Sequence, residues 1–148
     1  MIVSGIDVGG KNIHGVIINN GDLLARANAV AGINKAEAVE GLYGELLDKA
    51  GLKREQVKRV VATGSAGKRV AFADGVIPDA TADSRGINRL IPTARTIIDV
   101  GAEEGRAIKI SPEGKVLDFA INEKCAAGTG TFVEAMARAL EISVEEMA

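Results

Sequence analysis

The stretch IDVGGKN, residues 6–12, decides the fold of this 148-residue chain. An apolar run from Ile2 to Asp7 ends at two glycines, which is typical of a buried strand that enters a tight turn. Residues 12–18 are β-branched and apolar, and NNGD at residues 19–22 is a hairpin signal. Since residues 23–30 return as a strand, the opening predicts a meander of three antiparallel strands.

The turn after this first strand is a candidate phosphate site. Backbone N–H groups of such a turn form an anion nest, to which Gly9, Gly10, Lys11 and Asn12 contribute. The Asp7 carboxylate at the strand end suits hydrated Mg²⁺ beside a phosphate. The turn is neither a Walker A loop nor a dinucleotide fingerprint, because the glycine spacing differs and a strand follows it. A plain hairpin with an acidic residue is the alternative interpretation.

The pattern after residue 30 alternates between helix and strand periods. The Thr63-Gly64-Ser65 turn is open to three interpretations: a hinge, a phosphate-side loop or a simple end of a strand. Asp79, Asp83 and Arg85 are expected to be solvated charges on a helix. The predicted elements are helix 35–50 with Gly51 as its C-cap, strand 56–63, helix 81–90, strand 95–100, hairpin strands 106–110 and 115–121, and helix 128–140.

The stretch IIDVG at residues 97–101 repeats the design of the first turn. Asp99 again closes an apolar strand, Gly101 follows, and a hairpin comes next. Two such turns that face each other across a cleft would bring two carboxylates to one metal–phosphate unit. Such a pair orients water and stabilises charge during phosphoryl transfer.

The third candidate site is KCAAGTG, residues 124–130, between a strand and a helix. The helix N-terminus and Lys124 would both lower the pKa of the Cys125 thiol, and the thiolate binds soft metals and clusters. The turn of Gly128, Thr129 and Gly130 would offer N–H groups to an anion. A small, buried, structural cysteine is the alternative.

Composition excludes several classes of function. With 18 Lys+Arg against 20 Asp+Glu and 3% aromatic residues, the chain has no nucleic-acid-binding signature. It has no apolar run of about 20 residues and no export signal, so no membrane association is expected. The single cysteine favours a reducing, cytoplasmic location.

Three motifs together resemble the BadF/BadG/BcrA/BcrD ATPase family: GIDVG at 5–9, TIIDVG at 96–101 and NEKCAAGTG at 122–130. That family includes activators of 2-hydroxyacyl-CoA dehydratases and ATP-binding subunits of benzoyl-CoA reductase. The resemblance implies an actin-like, ribonuclease H-like α/β fold with two lobes around ATP. Residues 1–94 would form the first lobe and residues 95–148 the beginning of the second.

The resemblance also implies roles for single residues. Asp7 and Asp99 would be catalytic, Asp7 through Mg²⁺, and Cys125 would bind a [4Fe-4S] cluster that bridges a homodimer. ATP hydrolysis would then drive an electron from the cluster to an acyl-CoA dehydratase or reductase. The implied nucleotide-binding residues are Gly9, Gly10, Lys11, Asn12, Gly101, Ala102, Glu103, Gly128, Thr129 and Gly130.

Some positions depart from the family pattern. Its second loop usually reads D-I-G-G-Q-D, whereas residues 99–104 read DVGAEE, so Ala102 adds a methyl group and Glu103 a charge. One cysteine per chain gives a dimer two thiolates, and a [4Fe-4S] cluster needs four ligands. This chain alone is therefore expected to be inactive. The alternatives are a non-redox nucleotide-binding regulatory module of the actin-like superfamily and a relative of sugar or acid kinases. SVEE at residues 143–146 has the form of a helix start. This form predicts either that the sequence is part of a longer protein or that its end is a frayed tail.

Overall fold

The computed structural model describes residues 1–102, 104–122 and 129–147. The chain forms two compact units, Met1–Asp79 and Ala80–Ala148. The sequence predicts a lobe boundary at residue 94 instead, and the helix between the two positions accounts for the difference. Ala80 and Ile87 of that helix pack against the core of the second unit. The boundary at residue 94 stays a prediction about the lobes.

The first unit is built on a five-stranded sheet in the order β3-β2-β1-β4-β5. The predicted meander is confirmed, since β1, β2 and β3 pair antiparallel. Asn20 and Gly21, with φ of 49° and 97°, form the turn between β2 and β3. Both β4 and β5 add in parallel, so β1, β4 and β5 end at the same edge. The strands are β1 (Ile2–Val8), β2 (Asn12–Asn19), β3 (Asp22–Val30), β4 (Arg59–Thr63) and β5 (Gly75–Val76).

Helix α1 (Lys35–Ala50) has the predicted bounds because both ends are capped. The Asn34 side chain accepts from the Glu37 N–H, and Gly51 takes the left-handed conformation with φ of 64°. The buried face of α1 packs on β2 so closely that a Cβ at Gly15 would lie 2.6 Å from Leu46 Cδ1. This face consists of Val39, Leu42, Tyr43, Leu46 and Leu47.

The second unit repeats the opening motif of the first. Its sheet has the order β6-β7-β8, and both pairs are antiparallel. The core contains Ile97, Ile108 and Ile110, with α2 and β8 packed against it. The elements are α2 (Asp79–Leu90, of which Asp79 belongs to the first unit), β6 (Thr96–Val100), β7 (Gly105–Ile110), β8 (Val116–Asn122) and α3 (Gly130–Ala139).

The fourth strand and the last predicted helix differ most from the structure, and the bounds of several other elements shift by one or two residues. The fourth strand begins at Arg59 rather than residue 56, because residues 54–56 form a 3₁₀ turn in which the Gln56 side chain accepts from the Lys53 N–H. Residues 144–147 form a 3₁₀ turn, and Glu146 accepts from both the N–H and the hydroxyl of Ser143. Among the described helices, none is long and apolar enough to cross a membrane.

Candidate functional site

Asp7 stands at the end of β1, where the sequence predicts the first phosphate loop. It lies opposite His14 of β2 and Thr63 of β4 in the sheet register. The Gly9 N–H donates to the Asn12 carbonyl at 2.9 Å, which closes the turn. Lys35 Nζ, at the start of α1, donates to the Gly9 carbonyl at 3.0 Å. The loop is therefore fixed from two sides, and Gly10, Lys11 and Asn12 are exposed on it.

The neighbouring turn at Gly64 approaches Asp7 so closely that no side chain fits between them. Gly64 has φ of 90°, and a Cβ there would lie 2.3 Å from Asp7 Oδ1 and 2.5 Å from the Val8 carbonyl oxygen. The Ala66 N–H donates to that same Val8 carbonyl. Of the three interpretations of this turn, a loop beside the candidate phosphate site agrees best with its position against Asp7.

Asp79 is bound into this turn, so the expectation of a solvated helix charge is wrong for it. Its Oδ1 accepts from the Thr63 hydroxyl at 2.6 Å and from the Gly64 N–H at 2.5 Å. Thr63 also donates to the Ile77 carbonyl. The only sequence signal for this contact is that Asp79 is an acidic residue at the start of a helix.

Asp99 lies at the end of β6, as predicted, but it is part of an ion pair. Its Oδ2 is 2.8 Å from Arg106 Nη1, and the other arm of the same guanidinium contacts the Glu104 carboxylate. Gly101 donates its N–H to the Glu104 carbonyl at 2.8 Å, which closes this second loop. No sequence motif marks Arg106, although it lies directly opposite Asp99 in the β6–β7 pair.

The beginning of α3 is anchored to the second loop. Gly130 donates its N–H to the Gly101 carbonyl, and Thr131 donates to the Ala102 carbonyl, both at 3.0 Å. The Gly130 N–H is thus engaged inside the protein, in contrast to the expected anion donor. Thr129, just before the helix, is buried. A cavity of about 340 Å³ in this unit is lined in part by Asp99, Arg106, Asn122 and Thr129.

Three predicted site residues lie outside the described residues: Glu103, Cys125 and Gly128. Within the described ranges, no three His, Cys, Asp or Glu side chains gather into a group that could hold a metal ion. The structure thus locates Asp7, Asp99 and their glycine loops.

Comparison with known proteins agrees with the resemblance found in the motifs. The profile of the BadF/BadG/BcrA/BcrD ATPase family matches residues 4–148. A 2-hydroxyisocaproyl-CoA dehydratase activator of Clostridioides difficile is 38% identical over 99% of this chain and 55% of its own length. A component of the benzoyl-CoA reductase of Thauera aromatica is 36% identical over 99% of this chain and 53% of its own.

A solved structure is similar along nearly the whole chain. The activator of the 2-hydroxyisocaproyl-CoA dehydratase from Clostridium difficile with bound ADPNP matches with a TM-score of 0.90 and 37% identity, over 99% of this chain and 55% of that chain. The expected actin-like α/β fold is confirmed. The chain spans about half the length of these relatives. Because the family profile covers almost every residue, the chain belongs to the BadF/BadG/BcrA/BcrD ATPase family.

Proposed function

We propose that this chain supplies phosphate-binding loops of an ATP-dependent activator of an acyl-CoA dehydratase or reductase. The observation that carries the proposal is the repeated hairpin with an aspartate at the end of its first strand and a tight glycine turn after it. Asp7 and Asp99 occupy this position in the two units. The names of the relatives, which are dehydratase activators and a component of benzoyl-CoA reductase, support this class of partner.

The residues of the first loop fit a nucleotide phosphate with its metal ion. A Cβ at Gly9 would lie 2.9 Å from the Asn12 carbonyl oxygen, so only glycine allows this turn. Asp7 offers the oxygen ligand that Mg²⁺ prefers, and Lys11 and Lys35 supply positive charge beside the loop. Bound Mg²⁺ would offset charge on the phosphates. Asp7 would hold that ion or its water, and the exposed backbone of residues 10–12 would receive the phosphate.

The second loop carries more negative charge than the first. Asp99 would orient water, as proposed for phosphoryl transfer, while Gly101 and Ala102 give the loop its shape. The Ala102 methyl group would reduce the space for a phosphate, and the negative charge of Glu103 would repel it. We therefore expect weak nucleotide binding by this chain, and ATPase activity only in a longer protein.

Electron transfer is a further part of the proposal. Cys125 would be a ligand of a [4Fe-4S] cluster shared by two copies, which would deliver low-potential electrons to the partner enzyme. The residues of this chain do not complete such a cluster, since the sequence has one cysteine and a pair of chains supplies two thiolates. The cluster thus requires ligands from other polypeptide segments.

Equilibrium binding of Mg·ADPNP to the purified chain tests the nucleotide-binding proposal, and ATP hydrolysis by a longer protein that contains this chain tests the catalytic roles. In that longer protein, Asp7→Asn and Asp99→Asn should each lower the hydrolysis rate by about 10²-fold or more. Asp22→Asn, an exposed substitution at the start of β3, is the matched control and should leave the rate unchanged. Failure of the unsubstituted protein to bind Mg·ADPNP would contradict the proposal.

The second candidate is a non-redox nucleotide-binding regulatory module of the same superfamily. The single cysteine is the observation that favours it. Anaerobic reconstitution with iron and sulfide distinguishes the two candidates when it is done on a longer protein that contains this chain and further cluster ligands, with Cys125→Ser compared with the unsubstituted form. If Cys125 is a cluster ligand, the substitution abolishes iron binding and the brown colour. If it is structural, neither protein holds iron and both bind nucleotide.

A further inference from the structure

We propose that Arg106 is a positioning residue that holds Asp99 and Glu104 and reduces the negative charge of the second loop toward a phosphate. This inference rests on the proposed nucleotide-binding function. It adds a residue that no sequence motif marks and assigns it a role through Asp99.

The sheet register and the ion pairs place Arg106 at both ends of the loop. Arg106 lies opposite Asp99 in the β6–β7 pair. One arm of its guanidinium is 2.8 Å from Asp99 Oδ2, where β6 ends, and the other contacts Glu104, just before β7. The Arg106 side chain is only 13% exposed, so solvent screens these pairs less than it screens surface pairs.

The segment between the two carboxylates is held by backbone contacts as well. The Gly101 N–H donates to the Glu104 carbonyl, and the Gly101 carbonyl accepts from the Gly130 N–H. Asp99 and Glu104, at the two ends of the loop, thus both contact Arg106, and Gly101 contacts the beginning of α3. A planar guanidinium with two parallel arms suits this task better than an ammonium group, which is a single point of charge.

Charge gives Arg106 a second effect on a phosphate ligand. Asp99 and Glu104 are two carboxylates on one short loop, and an anionic phosphate close to them would be repelled. The guanidinium between them offsets part of that charge. Loss of Arg106 should therefore weaken nucleotide binding mainly through repulsion, and removal of one carboxylate should relieve it.

Four variants of the purified protein test this inference: Arg106→Gln, Arg106→Lys, Glu104→Gln and the double variant E104Q/R106Q. Titration calorimetry gives the Kd for Mg·ADPNP, and KM and kcat are measured with ATP wherever the protein hydrolyses it. We expect R106Q to raise Kd about tenfold, R106K to raise it less, and the double variant to recover part of the loss. Arg138→Gln, an exposed arginine on α3, is the matched control and should bind as the unsubstituted protein does.

The outcomes separate this inference from the proposed function. If the unsubstituted protein binds no Mg·ADPNP, both are overturned. If it binds and R106Q binds equally well, only the role of Arg106 is overturned. A loss in R106Q that E104Q does not relieve indicates a purely structural residue and also overturns it. Should R106Q fail to fold, E104Q alone decides, because it should keep or improve affinity, and weaker binding would contradict the inference.

Discussion

At the scale of single residues, the turn at Gly64 lies directly against Asp7. A left-handed backbone and a missing side chain are both needed there, since φ is 90° and a Cβ would meet Asp7 Oδ1 at 2.3 Å. The Asp79 carboxylate fixes the other side of the same residue through its N–H. The conformation of Gly64 therefore determines where the Asp7 carboxylate can lie.

We predict that Gly64→Ala lowers the free energy of unfolding by about 1 to 3 kcal/mol or more, because backbone strain adds to the contact with Asp7. It should also weaken Mg·ADPNP binding by moving that carboxylate. Chemical denaturation and titration calorimetry measure the two effects. Gly32→Ala is the matched control, since Gly32 also has positive φ but nothing within 4 Å of an added Cβ. Equal losses in both variants would show that the contact with Asp7 has no consequence.

The sequence predicted where Asp7 and Asp99 lie, because each is the polar end of an apolar strand beside glycine. It did not predict the partners of these residues. Arg106 becomes a partner of Asp99 only once the β6–β7 register is known. Asp79 reaches Gly64 because β5 places the start of α2 beside the end of β4. The sequence does not predict this contact, because a strand of two residues has no detectable period.

At the scale of elements, the turn between β7 and β8 is stabilised by its own side chains. The Ser111 hydroxyl donates to Glu113 Oε2 at 2.7 Å and accepts from the Glu113 N–H at 3.2 Å. Gly114 has φ of 71°, and α2 reaches this turn through Asn88, which donates to the Pro112 carbonyl. Of these hydrogen bonds, the one that the Ser111 hydroxyl donates to Glu113 is strengthened when the Glu113 carboxyl is ionised.

The hydrogen bond from Ser111, followed by the residue's own backbone N–H, lowers the pKa of Glu113 below the usual range of a glutamate. A lowered pKa in the folded state means that the stabilisation is present above the unfolded pKa of about 4.3 and is lost as the pH falls through the folded pKa. An NMR titration of the Glu113 side chain should show this lowered pKa. In Ser111→Ala the same carboxyl should return toward its usual range, and an unchanged titration would contradict the assignment.

Element bounds followed the sequence where local chemistry marks them. Helix α1 begins after the Asn34 cap and ends at Gly51, and both signals are readable without a structure. The fourth strand was predicted too long, because the apolar residue Val57 was counted as part of it. Val57 packs against the core, but it does so from the loop before the strand. Periodicity alone does not separate a short buried strand from such a loop.

At the scale of the whole molecule, the repeated strand–aspartate–glycine hairpin supplied the strongest prediction of fold. The order β3-β2-β1 in one sheet and β6-β7-β8 in the other shows that the motif repeated in the sequence also forms a repeated three-stranded meander in the structure. The sizes of the two cores were not predictable from this repeat. They depend on which apolar residues meet a partner in space, and Ile98 and Val100 are exposed although they lie in a strongly apolar strand.

The two units should differ in local stability. The core of the first unit combines β1, β2, β3, β4 and the buried face of α1, whereas the described core of the second is the small cluster around Ile108. Because slow amide exchange requires opening of buried, well-packed structure, amides of β1 and β2 should exchange at least about tenfold more slowly than those of β7 and β8. Hydrogen exchange followed by NMR on the 148-residue chain, corrected for intrinsic rates, measures this difference. The two edge strands β3 and β8 provide the internal control, because they have the same position in their sheets. Amides of β3, which packs on the larger core, should exchange more slowly than those of β8. Equal protection in the two sheets would contradict this expectation and would mean that the units unfold together.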